Sequence, residues 1–194
     1  KRQSEQILNG ESGSSTFRKI SEGSVVLFSE LTTSYSLDEL DKVAEISLGD
    51  TRGLVRLNNK IIVGSTDKIV DIDEKNWQAA ERQIESEGLG FIHSLSISRD
   101  KSKLLIVSSG YDRIIEVDIH TGEVSREWSA WNNGFPLNRQ INDVNLLKSS
   151  LGLPPNFRTA FPNSACYLDD DNILSTLFHH GLLTINMNTG ETKE

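Results

Sequence analysis

Arg52, His93 and Asn163 each stand at the head of a short apolar stretch, and a second polar set follows each at a matching distance. Thr66-Asp67, Tyr111-Asp112 and His179-His180 occupy the turns between the second and third apolar stretches that follow. Imidazoles beside carboxylates can act as general acid and base, and an arginine can hold an anion. The candidate catalytic groups are therefore His93, His179, His180, Asp112 and Arg52. Asn163, Tyr111, Asp67 and Trp131 are the candidate binding groups. Imidazole and carboxylate also suit zinc, iron or manganese, but no HExxH or comparable ligand spacing occurs, so no metal is expected. The bland alternative is structural: His93 and Asn163 bond to neighbouring backbone and hold adjacent elements in register.

A repeat places these residues. HSLSISRDKSKLLIVSSGYDRIIEVDIHTGEV from His93 and NSACYLDDDNILSTLFHHGLLTINMNTGET from Asn163 share one grammar. Each reads polar residue, apolar stretch, acidic turn, apolar stretch, polar turn, apolar stretch, Thr-Gly-Glu. A fainter copy, GLVRLNNKIIVGSTDKIVDIDEKN, begins at Gly53. Short turn-punctuated strands recurring over tens of residues predict the blades of a β-propeller. Neighbouring strands in a blade are antiparallel, so the start of strand one and the turn after strand two face the same channel mouth. The two polar sets converge on that rim. His120 falls in a turn at the opposite end. Strand alternation sends neighbours to opposite faces, so at most one of His179 and His180 points into the site.

The elements follow from the same pattern. Residues 24–29, 34–37 and 43–48 read as strands of a first, degenerate blade. A second blade runs through 54–57, 61–63 and 69–72, with turns at Asn58-Asn59 and Thr66-Asp67. Where its fourth strand belongs stands EKNWQAAERQIESEG, which reads either as a helical elaboration or as a poor outer strand. In the third blade, 104–107 is a near-continuous apolar strand, as expected when both faces are covered. The fourth repeat lacks a complete outer strand. Residues 1–15 are polar and read as a tail, leaving 16–194 as the propeller domain. The proline-rich stretch 131–162 interrupts the rhythm as an insertion, with a helical face near 137–151 from Ile141, Val144, Leu147 and Leu151.

The fold class expected is all-β, a propeller or propeller arc of about four blade units with that helical insertion. Four repeats could close as a small ring. The repeats look cut rather than capped, so the favoured expectation is an incomplete ring that a missing segment or a second chain completes.

Composition narrows the function classes. The net charge of −8 lacks the basic footprint of nucleic-acid binding, so no nucleic-acid partner is expected. No apolar run is long enough for a membrane helix, so no membrane association is expected. The single cysteine, Cys166, forms no internal disulfide and weakly favours a reducing, cytoplasmic compartment. There is no Gly-rich phosphate loop, nucleophile elbow or CxxC, and no cofactor is identified. Asp169-Asp170-Asp171-Asn172 lacks the spacing of a calcium loop and reads as a solvated hairpin turn.

The stretch from Asn163 to Glu191 resembles the repeat of bacterial aryl-sulfotransferase-like propellers. It shares an Asn-Ser pair, an Asp-rich turn, Asn-Ile-Leu, a His-bearing turn and Thr-Gly-Glu. Ile115-Glu116-Val117-Asp118 with Thr121-Gly122-Glu123 is also similar to quinoprotein-type blades, and the resemblance covers about residues 91–194. It implies a propeller and a rim site that includes Asn163 with His179 or His180. That family often carries a His two positions before the Asn-Ser pair, where this chain has Phe161, so sulfuryl transfer through that position is not implied. The expected function is a small-molecule-binding, catalytic propeller with its site at the channel mouth. The alternative is a noncatalytic scaffold for protein interactions.

Overall fold

Three meanders account for most of the structure. The computed structural model describes residues 17–19, 24–28, 42–48, 50–86, 88–135 and 158–194. The expected tail, the strand at 34–37 and the helical face near 137–151 lie outside the described residues. The chain forms two compact units, divided between Thr51 and Arg52.

The first unit holds an antiparallel sheet of β1 (Phe17–Lys19), β2 (Ser24–Phe28) and β3 (Lys42–Ser47), in that order. β2 and β3 stand where the first blade's strands are expected. β1 is an addition, a short run of FRK paired to β2.

The second unit is an arc of three four-stranded antiparallel sheets, each in sequence order. The second blade is β4 (Arg52–Leu57), β5 (Lys60–Gly64), β6 (Ile69–Asp73) and β7 (Ala79–Arg82). The third is β8 (Ile92–Ile97), β9 (Lys103–Ser108), β10 (Arg113–Asp118) and β11 (Val124–Ser129). The fourth is β12 (Pro162–Tyr167), β13 (Asn172–Leu177), β14 (Gly181–Asn186) and β15 (Thr192–Lys193). Among the described residues these sheets do not close into a ring. The two-way reading of residues 74–88 resolves as an outer strand: β7 pairs with β6 from Ile69–Arg82 to Ile72–Ala79. Trp77 takes a left-handed φ of 59° just before it, which a continuous helix does not permit.

Strand burial follows from what lies on each side. In β9, Leu104 and Ile106 pack toward the second blade with Ile62, Ile69, Ile115 and Val117. Leu105 and Val107 pack toward the fourth with Ile114, Trp128, Ile173, Leu177 and Ile185. Both faces are covered, so every position from Leu104 to Ser108 is buried and the sequence is apolar without alternation. β13 instead alternates, with Ile173, Ser175 and Leu177 buried and the residues between them half-buried.

The Thr-Gly-Glu signature is a turn with a mechanism. Asp118 Oδ1 accepts the backbone N–H groups of His120 and Thr121, and Asn186 Oδ1 accepts those of Asn188 and Thr189. Each turn then needs a left-handed residue, supplied by Gly122 (φ 81°) and Gly190 (φ 76°). A Cβ on Gly122 would run into the Gln83 carbonyl of the preceding blade, so the glycine also permits close approach.

Half-buried ion pairs clasp one blade to the next. Arg82 binds Asp71 through two bonds of 2.9 and 2.8 Å and donates to the Ile119 carbonyl of the third blade. Arg126 binds Glu116 at 3.0 and 2.6 Å and reaches the Asp170 carbonyl of the fourth blade at 2.5 Å. Ser125 and Tyr167 donate the remaining bonds to Glu116, at 2.6 and 3.1 Å. These carboxylates sit on third strands and the arginines on fourth strands, so each clasp needs a complete outer strand.

Candidate functional site

The three inner strands run side by side, with β8 between β4 and β12. Each carries a register irregularity at its start, between Arg52 and Leu54, Ile92 and Ser94, and Pro162 and Ser164. The residues skipped are Gly53, His93 and Asn163. A bulge lifts a residue out of the ladder and re-aims its side chain. Gly53 adopts φ 59°, and a Cβ there would lie 2.8 Å from the Ser94 Cα. At that place only glycine lets the second and third blades meet, and the polar group comes from Arg52 beside it.

The result is a hydrogen-bonded chain across three blades. Arg52 Nη1 lies 2.6 Å from His93 Nε2, and His93 Nδ1 lies 2.7 Å from Asn163 Oδ1. A guanidinium only donates, so Nε2 must be the acceptor. Nδ1 then carries the proton and donates to Asn163. The neighbours thus fix one neutral tautomer of His93. Arg52 and Asn163 are exposed and His93 is half-buried, so solvent reaches the group.

An aromatic series leads away from it. The His93 ring meets Phe161 edge-on at 5.6 Å, Phe161 meets Phe178 at 5.9 Å, and Phe178 meets His179 at 5.0 Å. Phe178 is 73% exposed, an unusual state for a large apolar side chain. The vicinal histidines lie in the turn between β13 and β14, not in a strand, and both are exposed. His179 packs beside Phe178, whereas His180 donates from Nε2 to the Thr159 carbonyl at 3.0 Å and packs on Phe135.

Asp112 is not part of this exposed group. It is fully buried, and its two oxygens accept the backbone N–H groups of Thr159 at 2.7 Å, Ala160 at 3.3 Å and Phe161 at 2.7 Å. Burial pushes its carboxyl above the usual value, opposed by those three bonds and by the Arg158 charge. It ties the third blade's polar turn to the chain entering the fourth. Tyr111 is also buried, in the 3₁₀ turn Ser109–Tyr111. Its phenol is raised by burial, with Arg113 opposing and the exposed Asp67 of the second blade reinforcing the shift. Trp131 is half-buried, packs on the core between the third and fourth blades, and lies under the Arg113 guanidinium at 5.1 Å. Arg52, His93, Asn163 and His179 therefore share the rim, while Asp112, Tyr111, His180 and Trp131 support the elements behind it. Among the described residues no group of three or more metal-ligating side chains comes together.

Sequence reasoning missed Arg158 and the phenylalanines around it. Arg158 is 7% exposed and lies between Phe91 and Phe161, 5.6 and 4.7 Å from their ring centres. Burial lowers its pKa, and the Asp112 charge opposes that shift. Among the described residues its Nε is buried without a hydrogen-bond partner. A signal existed: Phe91 and Phe161 each immediately precede an inner strand, and both hold left-handed φ values of 46° and 48°. Bulky residues rarely adopt that conformation, so packing around Arg158 must hold it.

No protein-family model matches the chain, and no curated protein matches it. Solved structures do. The β-propeller domain of Cps50 (Swd1) from Myceliophteria thermophila aligns at 18% identity with a TM-score of 0.49, over 76% of this chain and 39% of that one. Dihydro-heme d1 dehydrogenase NirN, solved in complex with DHE, aligns at 10% identity with a TM-score of 0.51, over 90% of this chain and 32% of that one. The chain thus spans about a third to two fifths of the length of these structures. At such identities the likeness establishes the propeller fold alone. No described helix is long and apolar enough to cross a membrane.

Proposed function

We propose that this propeller arc binds a small anionic or polar molecule at the mouth where Arg52, His93 and Asn163 meet. One observation carries the reading: three successive blades each devote the irregular start of their inner strand to one exposed hydrogen-bonded group. Arg52 supplies charge, Asn163 a carboxamide, and His93 an imidazole whose tautomer its neighbours set. Phe161, Phe178 and His179 form an apolar wall beside them.

Acid–base work by His93 requires a further step in this reading. Its Nε2 lone pair is engaged by Arg52, so a ligand must first draw the guanidinium away before that nitrogen can accept a proton. Binding precedes chemistry, and Asp112 serves as a brace rather than as a proton carrier. In the same proposal a second chain or a further segment completes the arc.

Titration of the ¹⁵N-labelled protein with acetate, sulfate and phosphate tests the site. The expected result is a shift of His93 and Asn163 side-chain signals, with His120 unaffected. Arg52→Ala should weaken binding about tenfold, equivalent to about 1.4 kcal/mol. Anions that leave His93 untouched would refute the reading.

The scaffold reading draws on a separate observation, the exposure of Phe178 at 73% and Leu182 at 54% on one corner of the fourth blade. Exposed apolar groups of this size mark interaction surfaces when contiguous.

A further inference from the structure

Burial and bonding disagree at Arg158. Its side chain is 7% exposed, yet among the described residues its Nε has no hydrogen-bond partner. A guanidinium offers five N–H donors and stays charged inside a protein, so leaving them unbonded in a buried place is costly. The Nη nitrogens are not sealed in the same way, so the open end of the fork meets solvent. Asp112 does not satisfy this cation. It spends both oxygens on the backbone N–H groups of Thr159, Ala160 and Phe161, and acts on Arg158 as a charge without a direct bond.

The surroundings connect Arg158 to the mouth. Phe91 and Phe161 flank the guanidinium, with ring centres 5.6 and 4.7 Å away, and the Phe161 ring also meets the His93 ring at 5.6 Å. One aromatic side chain therefore joins the buried cation to the exposed hydrogen-bonded group. Arg52 enters from the second blade and Arg158 from the chain leading into the fourth, with β8 and its His93 between them. The two guanidiniums thus approach His93 from opposite flanks. Arg52 already has His93 as an acceptor, whereas the Arg158 fork has none among the described residues. Both phenylalanines hold left-handed φ values, the kind of strain that gathers at ligand clamps.

We propose that Arg158 is a second anion anchor of the mouth, and that the ligand is a short dicarboxylate, one carboxylate at Arg52 and the other at Arg158, with its middle across His93 and Phe161. This ligand class rests on the reading that the mouth binds an anionic molecule. A planar carboxylate matches the guanidinium fork and answers the donors that the fold leaves open. Selectivity follows from the same burial. A ligand lacking the second carboxylate leaves a desolvated cation unpaired, so the site discriminates against monoacids. The chain as a whole carries a net −8 and repels anions, so affinity must come from these local cations. The structural alternative is that Arg158 only balances the charge of Asp112.

The test titrates the full ¹⁵N-labelled chain with succinate and with propionate, following the side-chain signals of His93 and Asn163 and the Nε–H signal of Arg158. The expected result is that succinate moves all three with one midpoint, at a concentration at least about tenfold below that of propionate. Arg158→Lys keeps a positive charge beside Asp112 but lacks the planar fork, and should cut the succinate preference to below about threefold. If that variant fails to fold, the Arg158 Nε–H signal of the unaltered chain decides alone. Equal midpoints for the two acids, or succinate that moves His93 and leaves Arg158 in place, would keep the anion site at Arg52 and overturn the second anchor. A full succinate preference in folded Arg158→Lys would overturn it as well. Movement of Arg158 without His93, or no movement of His93 with either acid, would remove the anion site itself and the dicarboxylate with it.

Discussion

The third and fourth blades share the lengths of their first three strands and the Thr-Gly-Glu signature, yet their interiors differ because their surroundings differ. The third is covered on both faces and clasped to its neighbour by the half-buried Arg126 on the buried Glu116. Among the described residues the fourth is covered on one face, and the position matching Glu116, two residues before the Asx-turn residue, holds Thr184 opposite Lys193. Blade grammar therefore specifies the meander, while burial and ion pairs follow the packing of one described blade on the next.

Breaking the buried charges should produce the largest contrast. Arg126→Ala leaves Glu116, whose side chain is 2% exposed, without its counter-charge and should cost about 3–5 kcal/mol in urea unfolding. Asp112→Ala should cost a similar amount, since it strands three backbone N–H groups and leaves the buried Arg158 uncompensated. Equality of either variant with wild type would remove the clasp from the account.

Truncation of apolar strands comes next. Leu105→Ala opens a cavity between two blades and should cost about 2–5 kcal/mol. Leu174→Ala, opposite Thr184 on the half-buried face, should cost roughly 1 kcal/mol. Similar values for both would mean that the fourth blade's outer face is covered in solution.

The two buried carboxylates should respond to pH with opposite signs. Burial works to raise Glu116, but bonds from Arg126, Ser125 and Tyr167 outweigh it and hold the carboxyl below its ordinary 4.5. Its stabilisation is complete above pH 4.5 and is lost as pH falls through the folded value. Asp112 is raised above 3.8, chiefly by burial, so its ionisation costs the native state as pH rises from there. Glu116→Gln should therefore flatten the acid loss of stability, and Asp112→Asn should steepen it. Urea midpoints measured stepwise from pH 6 to pH 3 check both signs. The smallest expected effect is that of Thr184→Ala, within about 0.5 kcal/mol.

Much of this arrangement was legible in the sequence. The spacing of Arg52, His93 and Asn163 located the inner-strand starts, because antiparallel blades turn chain order into a map of one mouth. The tautomer of His93 was not legible, since it depends on distances across three blades. Asp112 looked like a rim carboxylate because its turn lies at the correct end. Its burial depends on residues 159–161, nearly fifty positions later, folding their amides onto it. The ambiguity at 74–88 had a local cause: Trp77, Ala80 and Ile84 satisfy helical spacing, and only the free edge of β6 decides for a strand. Phe91 and Phe161 each precede an inner strand, but their pairing was not read from the sequence, because their role depends on Arg158 lying between them.

The most direct test of the rim site is a long-range ¹H–¹⁵N spectrum of the imidazole side chains at neutral pH. The account predicts that His93 is the Nδ1–H tautomer, with an unprotonated Nε2 that loses its fixed state in Arg52→Ala. A His93 protonated at Nε2, or exchanging between tautomers regardless of Arg52, would contradict the hydrogen-bonded chain on which the proposed binding site is built.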